Sequence, residues 1–163
     1  MRLRITLSQP TGEVRELVDL AAEGIDTDGL SLWVKNCSRA FAGRAYFEVR
    51  HCVVRIGGSR HFPILNHHYP RLKTAPVYDL NSWQEALVLV TAHELRHQQQ
   101  YRRGWRRSEV DAERWALGRL SAYRGAAGES IPVSSAKSPP TDTLSEGQLS
   151  FSYLHSIDGE ERC

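Results

Sequence analysis

His93, Glu94 and His97 stand in the order His-Glu-x-x-His at the end of an apolar run, Val88-Leu89-Val90-Thr91-Ala92. Side chains of these types at this spacing can do metal chemistry. On a helix, residues four apart lie one turn above each other, so the two imidazoles can offer nitrogens to a single ion. Glu94 then sits beside the ion, placed to take a proton from a water that the ion acidifies. The expected cofactor is Zn2+, with Glu94 as the catalytic general base.

A zinc ion that does chemistry usually keeps three protein ligands and one open position. Downstream, Glu109, Asp111 and Glu113 are the candidates for the third ligand. At about 100° per residue, Glu109, Ala112, Glu113, Ala116, Leu117, Leu120 and Tyr123 fall on one helical face, and Asp111 falls opposite, toward solvent. Two carboxylates on an otherwise apolar face are costly to bury without a cation or several hydrogen bonds. Zinc with its histidines supplies that compensation. Glu109 is therefore the expected third metal ligand, and Glu113 the carboxylate that accepts an imidazole N–H and fixes its tautomer. The reverse assignment fits the same face.

The segments His93-Glu94-Leu95-Arg96-His97 and Glu109-Val110-Asp111-Ala112-Glu113 together resemble the gluzincin metallopeptidases, whose third ligand is the Glu of a Glu-x-x-x-Asp or Glu-x-x-Ala-Asp motif on the next helix. Ala112 takes the small position, and Glu113 stands where Asp is usual. The connection of 11 residues between His97 and Glu109 is similar to that of compact minigluzincins and ImmA/IrrE-type peptidases. The resemblance covers about residues 45 to 124. It implies an α+β zincin-like fold, a small twisted sheet packed on the His-Glu-x-x-His helix, and hydrolysis of peptide bonds. Arg96 departs from the uncharged residues these families carry between the histidines. Gln100 and Arg103 exclude the metzincin pattern, and the absence of a His between His97 and His155 separates the chain from SprT-like proteases. Those DNA-associated proteases, and a zinc-binding regulatory module with little turnover, are the alternative readings. Cys52 lacks the Gly-Cys-Leu context of a deformylase ligand and reads as a buried strand residue.

Elements must position these side chains. Leu3, Ile5 and Leu7 alternate with Arg2, Arg4 and Thr6, which predicts a first strand followed by a turn at Gln9-Pro10-Thr11-Gly12. Residues 13 to 21 fit a hairpin partner or a short helix. Leu30, Trp33, Val34, Cys37, Ala40 and Phe41 predict an amphipathic helix over 29–42 behind Asp28. A strand is expected over 46–56, then a loop containing Pro63, Pro70 and Pro76. Ser82 with Glu85 forms a capping box for a buried central helix running to about Arg103, where Gly104 stops it. Ser108 caps the next helix, which runs to about Tyr123. A bound peptide is expected to add as a strand to an exposed edge within 47–56.

The 163 residues suffice for one domain, read as 1–124, with a Ser/Pro/Gly-rich acidic tail over 125–163 that is expected to be flexible. Residues 1–124 carry 19 Lys or Arg against 13 acids, and the tail 2 against 6, so the tail has the charge to fold over the basic body. Three widely spaced cysteines, Cys37, Cys52 and Cys163, suggest neither a disulfide framework nor a thiolate zinc knuckle. No segment has the roughly 20 apolar residues that span a bilayer, and a cytoplasmic location is expected. The expected partner is a peptide or protein substrate, with no membrane. Nucleic acid is the less favoured partner, because Arg102 to Arg107 read as cations at a helix C-terminus around a packed Trp105. Tyr101, one turn past His97 and within reach of the site, reads as a core tyrosine, and His67, Tyr153 and His155 are open candidates for a group that stabilises an oxyanion.

Overall fold

Strand β1 (Arg2–Thr6) forms where the alternation predicts it, and Leu7 behind it is buried. The computed structural model describes residues 1–67 and 77–128. Helix α1 begins at Thr11, directly after Pro10, so the expected turn is absorbed into the first turn of a helix running to Ala22. Pro10 is the N-cap residue: its side chain offers no cap, but its carbonyl accepts the first helical hydrogen bond, from the Val14 N–H at 3.0 Å. Val14, Leu17, Val18 and Ala21 recur at helical spacing and are all buried.

The helix expected over 29–42 is not formed. Those residues make β2 (Ser31–Asn36), a turn, and the start of β3 (Phe41–Tyr46). Leu30 and Val34 fit a helical stripe and a strand face equally, and Leu32 decides for the strand because Leu30, Leu32 and Val34 are all buried at period two. Parallel partners on both sides then satisfy the backbone of β2, which overrides local propensity. The strand expected over 46–56 also divides. Residues 47–50 turn, with Arg50 in the left-handed region at φ 48°, and β4 occupies His51–Ile56. Within the expected proline loop, β5 (Ile64–His67) pairs antiparallel with β6 (Tyr78–Leu80); Pro70 and Pro76 lie outside the described residues.

The main sheet has the order β1-β2-β4-β3, parallel except for β3. Strand β4 is therefore interior, and the sheet's edge strands are β1 and β3 rather than 47–56. Helix α2 (Trp83–Arg102) is central among the described residues, and every residue from Glu85 to Gln100 except Arg96 is buried. Ser82 Oγ accepts from the Glu85 N–H at 3.3 Å, and Glu85 answers not to Ser82 but to the Asn81 N–H at 2.7 Å. Leu32, Val34, Cys52, Val54 and Ile56 share one core with α1, with Leu87, Val88 and Leu95 of α2, and with Ala116 and Leu120 of α3 (Glu109–Ala126). Each fully buried Leu or Val there contributes about 1.5–3 kcal/mol. The result is an α+β fold with its helices on one face of the sheet. No helix among the described residues is long and apolar enough to cross a membrane. Helix α3 ends two residues beyond the expected domain boundary at 124, and from residue 129 the expected tail, with Cys163, Tyr153 and His155, lies outside the described residues.

Candidate metal centre

Helix α2 carries His93 and His97 on one side, and the first turn of α3 brings Glu109 to them. His97 Nε2 lies 3.1 Å from His93 Nε2 and 3.1 Å from Glu109 Oε2, and His93 Nε2 lies 3.4 Å from the same oxygen. Together the three residues form a group able to hold a metal ion. Donors about 2.0–2.1 Å from a tetrahedral zinc are about 3.3–3.4 Å apart, so this donor set fits zinc in both chemistry and spacing. Two imidazole nitrogens and a carboxylate oxygen converging this closely need a cation or protons between them.

Both rings are oriented from behind. Glu113 Oε2 lies 3.1 Å from His93 Nδ1, and its other oxygen accepts from the Tyr78 hydroxyl at 2.6 Å. Burial would raise the Glu113 carboxyl, but the hydrogen bonds from His93 and Tyr78 outweigh it and lower the pKa. Burial likewise opposes charge on His93, yet the Glu113 hydrogen bond and the surrounding carboxylates raise its pKa. His97, where burial dominates, is lowered. With Nδ1 of each ring donating, Nε2 of each is turned toward the shared centre.

The partner of His97 was not anticipated. Gln100 Oε1 accepts from His97 Nδ1 at 3.0 Å and from the Ser108 N–H at 3.2 Å, while its Nε2 donates to the Ser108 carbonyl and to Asp111. Gln100, one turn past His97 and 1% exposed, thus orients one ligand and ties down the loop that delivers another. Its spacing of three from His97 was the available signal. Gln100→Leu should weaken zinc binding by about 10- to 100-fold in a chelator competition. An unchanged dissociation constant would remove this role.

Glu94 points to the sheet side of the group. A Cβ on Gly43 would collide with the Glu94 carboxylate and lie 2.7 Å from Val90 Cγ1, so only glycine lets β3 approach α2 here. The Ala45 N–H donates to Glu94, but burial prevails and raises its pKa to about 7. Cys52 is fully buried, and its thiol donates to the Glu94 carbonyl at 3.8 Å, outside the metal group. Burial, with the Glu94 charge, pushes that thiol up to about 12. The thiolate is the reactive form. Iodoacetamide at pH 8 should therefore leave Cys52 unmodified in the folded chain and alkylate it in denaturant, as read by peptide mass spectrometry; rapid native labelling would contradict this packing.

Asp111 points away from the metal group, as its helical position predicts, but it does not simply face solvent. Arg96 grips it with two hydrogen bonds, Nε at 2.7 Å and Nη2 at 3.0 Å, and Arg96 chiefly accounts for its lowered pKa. The Arg96 guanidinium also lies 4.7 Å from the Trp115 ring and 5.4 Å from the Trp105 ring. The charge between the histidines is thus directed out of the site and neutralised by the helix that carries Glu109. Tyr101 is neither core nor site: it is half exposed and stacks on Phe47 at 5.2 Å. His67 packs against Phe41 and Tyr78. Arg102 pairs with Asp26 at 2.6 Å, Arg103 stacks on Trp105, and Arg107 Nε lies 3.6 Å from Glu109 Oε1.

Comparison with protein-family models, curated proteins and solved structures finds no match to this chain.

Proposed function

We propose that this protein is a zinc-dependent metallopeptidase of gluzincin type on a zincin-like fold, and that His93, His97 and Glu109 hold the metal. The observation that carries the reading is the convergence of those three donors at 3.1–3.4 Å with the Glu94 carboxylate between the ligand helix and an edge strand. Bound there, zinc would supply a Lewis acid that polarises the scissile carbonyl and acidifies water. Glu94, buried and raised to about 7, takes the proton from water and returns it to the leaving amine. Edge strand β3 offers main-chain groups to an extended peptide, with Gly43 keeping that strand close to Glu94. Arg107, mostly exposed and near enough to Glu94 to lower its pKa, stands at the rim to meet a substrate carbonyl oxygen or carboxylate.

A second reading, a zinc-binding regulatory module with little turnover, is favoured by Tyr78, whose hydroxyl is directed to Glu113. Metal analysis and a peptide-library cleavage assay separate the two. The peptidase should carry about one zinc per chain, cleave peptides, lose both properties on chelation, and regain them with zinc. Metal without cleavage selects the second reading. Equal metal content in the His93→Ala, His97→Ala double variant would defeat both.

A further inference from the structure

The sheet face turned away from the helices carries a surface unrelated to the metal group. Strand register places Arg4, Trp33, Val53 and Arg44 in one row across the sheet. Arg2, Ser31, His51 and Tyr46 form the row on one side of it, and Thr6, Lys35, Arg55 and Ala42 the row on the other. Alternate residues of the same strands face the core, so these three rows share the outer face. Arg2, Arg4, Lys35, Arg44 and Arg55 bring five cations to it and no carboxylate stands among them. None of the five has an acidic partner among the described residues. The nearest acids in sequence, Asp28 and Glu48, lie in the loops flanking β2 and β3.

Aromatic rings lie among these cations. The Arg4 guanidinium is 4.4 Å and the Lys35 ammonium 4.6 Å from the Trp33 ring, whose Nε1–H donates to Thr6 Oγ1 at 3.0 Å and pins the indole to the sheet. Tyr46 stacks on His51 at 5.8 Å, beneath the Arg44 guanidinium at 5.1 Å. A cavity of about 510 Å³ opens on this face, lined by Arg2, Arg4, Ser31, Trp33 and His51 among others.

We infer that this face is a binding platform for single-stranded nucleic acid. Unopposed cations select a polyanion, and the interleaved rings select one with planar groups that can stack. An acidic peptide would satisfy the cations but has no use for the rings. A duplex keeps its bases stacked inside and would present only phosphates. Four adjacent strands span about 14 Å, a flat extent suited to several unstacked nucleotides. The surface lies opposite α2, so the inference stands or falls apart from the peptidase reading.

The test is fluorescence anisotropy of the full chain with labelled 12-nucleotide oligothymidylate and oligouridylate, titrated over a range of salt. A matched duplex and polyglutamate serve as competitors. Binding of a single strand should weaken steeply with salt. Replacing Arg4 and Lys35 with Ser should reduce the slope of log K against log salt by about 1.4, since each phosphate contact contributes about 0.7. Trp33→Leu should weaken binding by about 10-fold with little change in slope. Thermal melts show whether each variant folds, and if Trp33→Leu does not, the charge variant decides alone. Absence of binding to both oligonucleotides, tighter binding to duplex, competition by polyglutamate as effective as by unlabelled oligonucleotide, or an unchanged salt slope in the Arg4, Lys35 variant would each overturn the inference.

Discussion

Glu94→Gln is expected to leave zinc bound while lowering peptide hydrolysis by at least about 100-fold, the scale on which a positioned general base contributes. The substitution keeps the size of the side chain and the contact with β3, and Glu94 belongs to neither the three-donor group nor its supporting hydrogen bonds. Metal content by mass spectrometry and turnover on the best library peptide measure the two halves. Loss of metal would mean that Glu94 holds the site together, and retained turnover would mean that another group moves the proton. The metal-free chain gives an independent sign. Burial raises the folded pKa of Glu94 from 4.5 to about 7, so the folded state binds the extra proton between those values. Its stability contribution is full below 4.5 and is lost as pH rises through 7. At pH 8, with metal removed, Glu94→Gln should therefore be more stable than wild type by at most about 3 kcal/mol, and the gap should close toward pH 4.5. Urea denaturation at the two pH values reads it directly, and a gap independent of pH would contradict the burial of an ionisable Glu94.

Arg124→Met is expected to destabilise the fold by about 3–5 kcal/mol, because it strands a buried carboxylate. Arg124, in the last turns of α3, donates Nε to Glu85 Oε1 at 2.8 Å and Nη2 to Glu85 Oε2 and to the Asp79 carbonyl, each at 2.6 Å. Glu85 is 2% exposed and Arg124 8%, so neither charge has a solvent alternative. The pair joins the end of α3 to the start of α2 and to β6, and it fixes how the Glu109 helix lies across the histidine helix. Thermal melting at saturating zinc should show a loss of roughly 10 °C or more. The Glu85→Gln, Arg124→Met double variant should recover much of it, since removing both charges avoids the unpaired one. A double variant no more stable than Arg124→Met would show that the loss came from packing rather than from the stranded charge.

The donors and their order were legible in the chain because helical spacing is a local property: four residues separate His93 from His97, and Glu109, Ala112 and Glu113 share one face of the next helix. The caps Ser82 and Ser108 were legible for the same reason. Residues 29–42 form strands against a helical expectation because Leu30 and Val34 fit both periods, and the parallel partners that settle the choice come from distant segments. The supporting role of Gln100 is not legible in the sequence because its amide matters only once the loop to Ser108 folds back on it. Arg96 reads in the sequence as a charge intruding on the motif, and only the position of Asp111 and Trp115 shows where that charge goes.

By itself, then, the sequence determined a helix offering two imidazoles and a carboxylate, and a second helix offering two more carboxylates on one side. The tertiary structure decided which carboxylate meets Nε2 and which meets Nδ1, because that depends on how the two helices cross and not on spacing within either. It also decided that Arg102, Arg103 and Arg107 are engaged by Asp26, Trp105 and Glu109, whereas Arg2, Arg4, Lys35, Arg44 and Arg55 share one sheet face. Alternation assigns each strand its two faces, but only hydrogen-bonded register between segments far apart in the chain brings those five cations into one surface.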